Sequence, residues 1–345
     1  MNFLSKLHKG TIIFGVLTVL YLLIVIAKAD EPDGGWRIGF LVALAAITGI
    51  FQASAFKLDF DLATFFKYMH LLLAVVYFWG AAFGKWAKRG DPDEGVLSAQ
   101  GGTGFGLIAV ILGVILLALA IMRLRGQTKV LPGLGVEQLT VIVGFAAWMN
   151  ILAFIVGWLA TFEAGTGWGV VVAYFPASLI PQLGAITLSA TEPATSISEL
   201  EATKRRTFSL IALLGGIGVA AFPFLAWLNA GSITLSALDG TSEGAPSGPR
   251  FGYMLLIFGV VTAIAALMRM RPQGLAEPGP NALIGHVLMG LGLATVLIPV
   301  ATMISVLRLD IDVGPGIGLW LGLLAGLVLV GVAVIENRTR GAVAA

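Results

Sequence analysis

Ten stretches of this chain run for 18 to 26 residues with no acidic residue and a single base, Lys85: 10–27, 38–56, 68–87, 105–122, 138–162, 168–190, 207–228, 251–268, 282–307 and 316–335. Each is long enough to cross about 30 Å of hydrocarbon, which takes roughly 17 to 25 helical residues. Water is absent there, so every backbone N–H and C=O must be satisfied within the protein, and a helix does this by itself. A membrane β-barrel would need short alternating strands, and these runs do not alternate. The expected fold is all-α: a polytopic transmembrane helix bundle of about ten helices, with residues 1–345 forming a single transmembrane domain. Hydrophobic residues at 58% against 12% charged leave almost nothing for a soluble domain.

A G-x-x-x-G motif stands five times at the start of an apolar run: Gly35/Gly39, Gly102/Gly106, Gly165/Gly169, Gly248/Gly252 and Gly314/Gly318. The second glycines, 39→106→169→252→318, recur after 67, 63, 83 and 66 residues. A recurring interval is the mark of a repeated supersecondary unit. Here that unit is a hairpin of two spanning helices, over roughly 10–56, 68–122, 138–190, 207–268 and 282–335. Small residues let helix backbones approach closely in lipid, so Gly39, Gly106, Gly169, Gly252 and Gly318 are read as helix-packing residues.

Charge gives the sidedness. With the N-terminus, the even-numbered connections and the C-terminus on one side, that side holds 14 of the 21 Lys and Arg, among them Arg123 and Arg269. The positive-inside rule then puts both termini in the cytoplasm and residues 231–250 outside, in the cytoplasmic (inner) membrane of a prokaryote. Lys6 and Lys9 before the first run resemble a signal-peptide start, but the run exceeds a usual signal core of about 7 to 15 residues and is read as retained.

The absence of cysteine removes disulfides, thiolate metal sites and thiol nucleophiles. No G-x-S-x-G, H-E-x-x-H or phosphate-loop pattern is present, so an enzyme is disfavoured. The basic clusters read as topology signals and lipid contacts, with no nucleic-acid role. With no carboxylate inside any run, a proton-coupled carrier is disfavoured as well.

Three functional readings follow. The leading one is a non-catalytic integral membrane subunit, packing against other membrane proteins or its own copies within the lipid bilayer, with no cofactor. The second is a transporter or channel for a neutral or apolar solute. Pro176 and Pro181 each remove a helix hydrogen bond, so the run at 168–190 is expected to kink or unwind, with Ser178, Gln182 and Asn150 lining a solute path. The third is a haem b-binding redox protein, with His70 and His286 at similar depth as axial ligands, or as ligands of a metal ion that a third side chain completes. Pro223 and Pro299 are expected to bend their runs, and Ser198 with Glu201 to begin a short polar helix before Arg205.

Overall fold

The computed structural model describes residues 62–84, 86–88, 104–131, 134–159, 165–191, 199–230, 233–238, 252–270, 278–308 and 314–343, with Val16 and Val19. The first hairpin, 10–56, with Gly39, lies outside the described residues. Nearly all described residues belong to one compact unit, His70–Ala345.

Eight long helices account for it: α1 (Leu62–Phe83), α2 (Gly104–Leu124), α3 (Val136–Ala153), α4 (Trp168–Thr191), α5 (Glu199–Ala221), α6 (Gly252–Met270), α7 (Pro278–Arg308) and α8 (Ile317–Val343). Each forms, with an adjoining π turn after α3 and a 3-10 turn after α5, a stretch of 19 to 23 residues apolar enough to cross a membrane. These eight coincide with the last eight apolar runs read from the sequence. The protein is therefore a multi-pass helical chain with eight membrane-capable helices among the described residues.

Short strands were not expected, yet they tie the helix ends together. They are β1 (Ala87–Lys88), β2 (Lys129–Leu131), β3 (Leu134–Gly135), β4 (Gly165–Thr166), β5 (Ala226–Ala230), β6 (Ile233–Ser236) and β7 (Gly314–Pro315). β1 pairs antiparallel with β4, β2 with β3, and β5 with both β6 and β7. Helix ends leave backbone groups unsatisfied, and these ladders satisfy several of them where the chain leaves one helix and enters another.

The prolines act differently from one another. α4 stays helical through Pro176 and Pro181, and α7 through Pro299. The expected unwinding at 177–182 does not occur, and Pro181 lies against the Cβ-free face of Gly144 on α3. Pro223 does stop its helix. It sits in a 3-10 turn, Phe222–Phe224, after which β5 begins, so the run read as 207–228 is helical only to Ala221. Glu201 lies in the first turn of α5, which is helical from Glu199, and Ser198 lies outside the described residues.

α1–α4 and α5–α8 are built to one plan. In each, the strand after the first helix pairs with the strand before the fourth: β1 with β4, and β5 with β7. A buried tryptophan precedes or opens the first strand of each pair. Trp86 accepts at its carbonyl from Gly167 N–H at 3.0 Å, and Trp227 from Gly316 N–H at 2.7 Å. Each indole N–H donates back to a carbonyl near the end of the first helix: Trp86 to Gly80 at 3.2 Å, Trp227 to Phe222 at 3.0 Å. Glycines fall in register as well. Gly113 and Gly259 each stand seven residues after Gly106 and Gly252, and each faces the preceding helix, at Tyr77–Phe78 and at Gly216–Ala220.

The halves meet through α3 and α7, the two most buried of the eight helices. Gly290 on α7 faces the Ile142 carbonyl and Phe145. Gly104, at the start of α2, rests on α7 at Ala301 and donates its N–H to Ser305 Oγ at 2.8 Å. Trp86, Phe154 and Phe105 form an aromatic core at the opposite end from the α2–α3 connection, with centroids 4.9 and 6.3 Å apart.

Candidate functional site

The end of the bundle that carries the α2–α3 connection gathers buried polar side chains. α2 closes on Gly126 with φ of 71°, a left-handed conformation that a Cβ disfavours. Gly126 N–H then donates to the Arg123 carbonyl and Gln127 N–H to that of Met122, both at 3.0 Å. α3 starts just beyond, capped by the Gln138 side chain, which accepts from Gly135 N–H at 2.8 Å. This tight connection brings Arg123, in the last turn of α2, to Glu137, in the first turn of α3. Arg123 Nε lies 2.8 Å from Glu137 Oε1, and Nη2 donates to Thr187 Oγ1 on α4 at 2.7 Å.

α1 adds His70 to the group. Gly113 on α2 faces Tyr77, and from that level His70 is seven residues back along α1 and Arg123 ten residues on along antiparallel α2. At 1.5 Å per residue these are about 10 and 15 Å, so the two residues lie within one helical turn of each other in depth. Arg123 lies within electrostatic range of the imidazole. One polar side chain from each helix of the first half thus reaches this end: His70, Arg123, Glu137 and Thr187.

The second half repeats the arrangement with the same chemistry redistributed. Arg269 stands 17 residues after Gly252, as Arg123 stands 17 after Gly106. Glu336 stands 18 after Gly318, as Thr187 stands 18 after Gly169. Arg269 Nη1 donates to Glu336 Oε2 at 3.0 Å, and Nη2 pairs with Oε1, with both side chains buried. Ser209, seven residues before Gly216 on α5, and His286, six before Gly292 on α7, are buried as well. Each half therefore supplies one arginine, one glutamate, one histidine and one hydroxyl side chain at this end.

The first half also has buried hydrogen-bonding groups with no partner among the described residues. They are both nitrogens of His70, Tyr77 Oη, Arg123 Nη1, Trp148 Nε1 and Asn150 Oδ1. In an interior without water each such group is costly. No group of three metal-capable side chains occurs among the described residues.

Of the residues singled out from sequence, Asn150 is fully buried and donates from Nδ2 to the Phe105 carbonyl at 3.1 Å, joining α3 to α2. Ser178 donates to the Phe175 carbonyl within its own helix. Gln182 is exposed, with its amide on the Ser178 carbonyl at 3.0 Å. His70 and His286 are both buried. Gly169 lies directly on the Gly84 backbone, Gly252 on Ala237, and Gly318 against Trp227 and the Phe222 carbonyl. Gly106 is buried at the start of α2.

Sequence reasoning counted Arg123 and Arg269 only as topology charges and placed Glu137 and Glu336 outside the apolar runs. The signal that identifies them is their fixed distance from the repeated glycines. The chain matches no family model, no curated protein and no solved structure.

Proposed function

We propose that this multi-pass membrane protein is a transporter or channel for a small hydrogen-bonding solute, with its path inside the α1–α4 half. One observation carries the reading: unpartnered buried polar groups are distributed through the depth of that half. Arg123 lies at one end, Tyr77 two helical turns inward from His70, and Asn150 beside Phe105 near the other end. Arg123 and Phe105 are 18 residues apart on α2, about 27 Å along the axis. Groups of this kind in hydrocarbon are satisfied by water or by a polar solute, which is what a permeation path supplies.

The test is solute flux into proteoliposomes containing the purified protein. Asn150→Leu and Tyr77→Phe lower flux at unchanged expression, whereas Gln182→Leu, on the exposed face, leaves it unchanged. Wild-type vesicles no more permeable than protein-free ones remove the reading. Sidedness is tested separately in the cysteine-free chain: Ser236→Cys reacts with an impermeant thiol reagent from outside intact cells.

A second reading is favoured by Gln182 itself. An exposed amide in mid-helix, among lipid-facing Leu179 and Ile186, seeks a polar partner. A non-catalytic subunit packing through α4 against another membrane protein or its own copy supplies one. Cross-linking from Gln182→Cys in native membranes detects such a neighbour, and its absence removes the subunit reading at α4.

A further inference from the structure

Arg123 and Arg269 hold the same place in the two halves, but their terminal nitrogens are filled differently. In the second half the Glu336 carboxylate spans both Nη atoms of Arg269. In the first half the matching residue on the fourth helix is Thr187, shorter and uncharged. Its hydroxyl donates to the Leu183 carbonyl at 2.9 Å and accepts from Arg123 Nη2, so it has no donor left for another group. Glu137 approaches from the side, at Nε. Arg123 Nη1 and both nitrogens of the fully buried His70 meet no partner among the described residues. Guanidinium donors form a planar fork suited to a carboxylate, and the second half has that carboxylate built in.

We propose that a small carboxylate or similar planar monoanion occupies, in the first half, the place that the Glu336 carboxylate takes in the second, accepting from Arg123 Nη1 and from an N–H of His70. The proposal deepens the transport reading and rests on it only for the identity of the site's occupant as cargo. Glu137 already offsets the charge of Arg123, which favours monoanions over phosphate or sulfate. The chain's own duplication therefore specifies the ligand: the half that lacks the acid on its fourth helix takes one from outside.

The experiment is thermal unfolding of the purified protein in detergent, with sodium acetate titrated against sodium chloride at matched ionic strength. Binding to the folded state alone raises the melting temperature in a saturable way, by about 2 °C or more well above Kd. Thr187→Glu gives the first half the acid of the second, so it melts higher without acetate and no longer responds to it. Thr187→Ser keeps the response. Glu336→Ala opens the second site, and acetate restores part of its lost melting temperature. A wild-type protein indifferent to acetate overturns the proposal, and does so even if acetate rescues Glu336→Ala, since that result puts the vacancy in the wrong half. A Thr187→Glu protein that folds and responds like wild type overturns it too. Should that variant not fold, acetate binding to the wild type and to Thr187→Ser by calorimetry decides the matter. Acetate binding without flux in proteoliposomes removes transport and keeps the site, whereas flux without acetate binding does the reverse.

Discussion

The α1–α4 and α5–α8 halves share a scaffold down to the tryptophan that caps the first helix and the arginine that ends the second. They differ in how the polar end is closed. In α5–α8 the Arg269–Glu336 pair is bidentate and buried, so charge and hydrogen-bonding capacity are matched inside the protein. In α1–α4 the acid sits on α3, partly exposed, and the arginine and histidine keep unused donors. Two halves of similar plan thus close this end in different ways. The difference lies in which helix carries the carboxylate.

The largest expected effect comes from breaking the closed copy. Glu336→Gln leaves Arg269 buried without its counter-charge, and removing one member of such a pair costs about 3–5 kcal/mol. Glu137→Gln in the open copy costs less, because Glu137 is 23% exposed and Arg123 keeps Thr187. Reversible unfolding in detergent measures both, and equal losses would erase the contrast between closed and open copies.

Close backbone contacts come next. A Cβ at Gly169 would fall on the backbone of Gly84, which cannot yield as a flexible side chain can. Gly169→Ala is expected to cost roughly 2 kcal/mol, within the range for overpacking. In the second half a Cβ at Gly318 meets the Trp227 ring edge at 2.7 Å and the Phe222 carbonyl at 2.9 Å. Gly318→Ala is therefore also destabilising, though the Trp227 ring can shift and its loss is the smaller. The same unfolding measurement ranks them, and a harmless Gly169→Ala would deny the glycine its packing role.

The smallest effect tests the shared feature. Trp86→Phe and Trp227→Phe each remove one indole hydrogen bond to the end of the first helix, for about 1 kcal/mol apiece. Similar losses support equivalence of the halves, and a cost at only one tryptophan would limit it to backbone shape.

Eight of the expected helices were legible because burial in lipid forces a simple rule: a long apolar run must satisfy its own backbone. Of the glycines read from the sequence as packing residues, Gly169, Gly252 and Gly318 lie against neighbouring backbone or ring atoms. The effect of each proline was not legible. Pro181 lies against Gly144 of another helix and stays within α4, whereas Pro223 falls in the 3-10 turn that ends α5, so similar residues continue one helix and end another.

What the chain alone determined was therefore one-dimensional: which segments are long and apolar enough to cross a membrane, and roughly where they begin. The tertiary structure decided everything that depends on which helix lies beside which. Glu336 is 67 residues from Arg269 and Thr187 is 64 from Arg123, so no local pattern joins them. Only when strands β4 and β7 clamp the fourth helices onto the first do those side chains reach the arginines. The physical reason is that apolar patterning reports each segment's preference for lipid over water, a property of the segment by itself. The match of a buried charge to its partner is a property of the pair, and it exists only after the helices have packed.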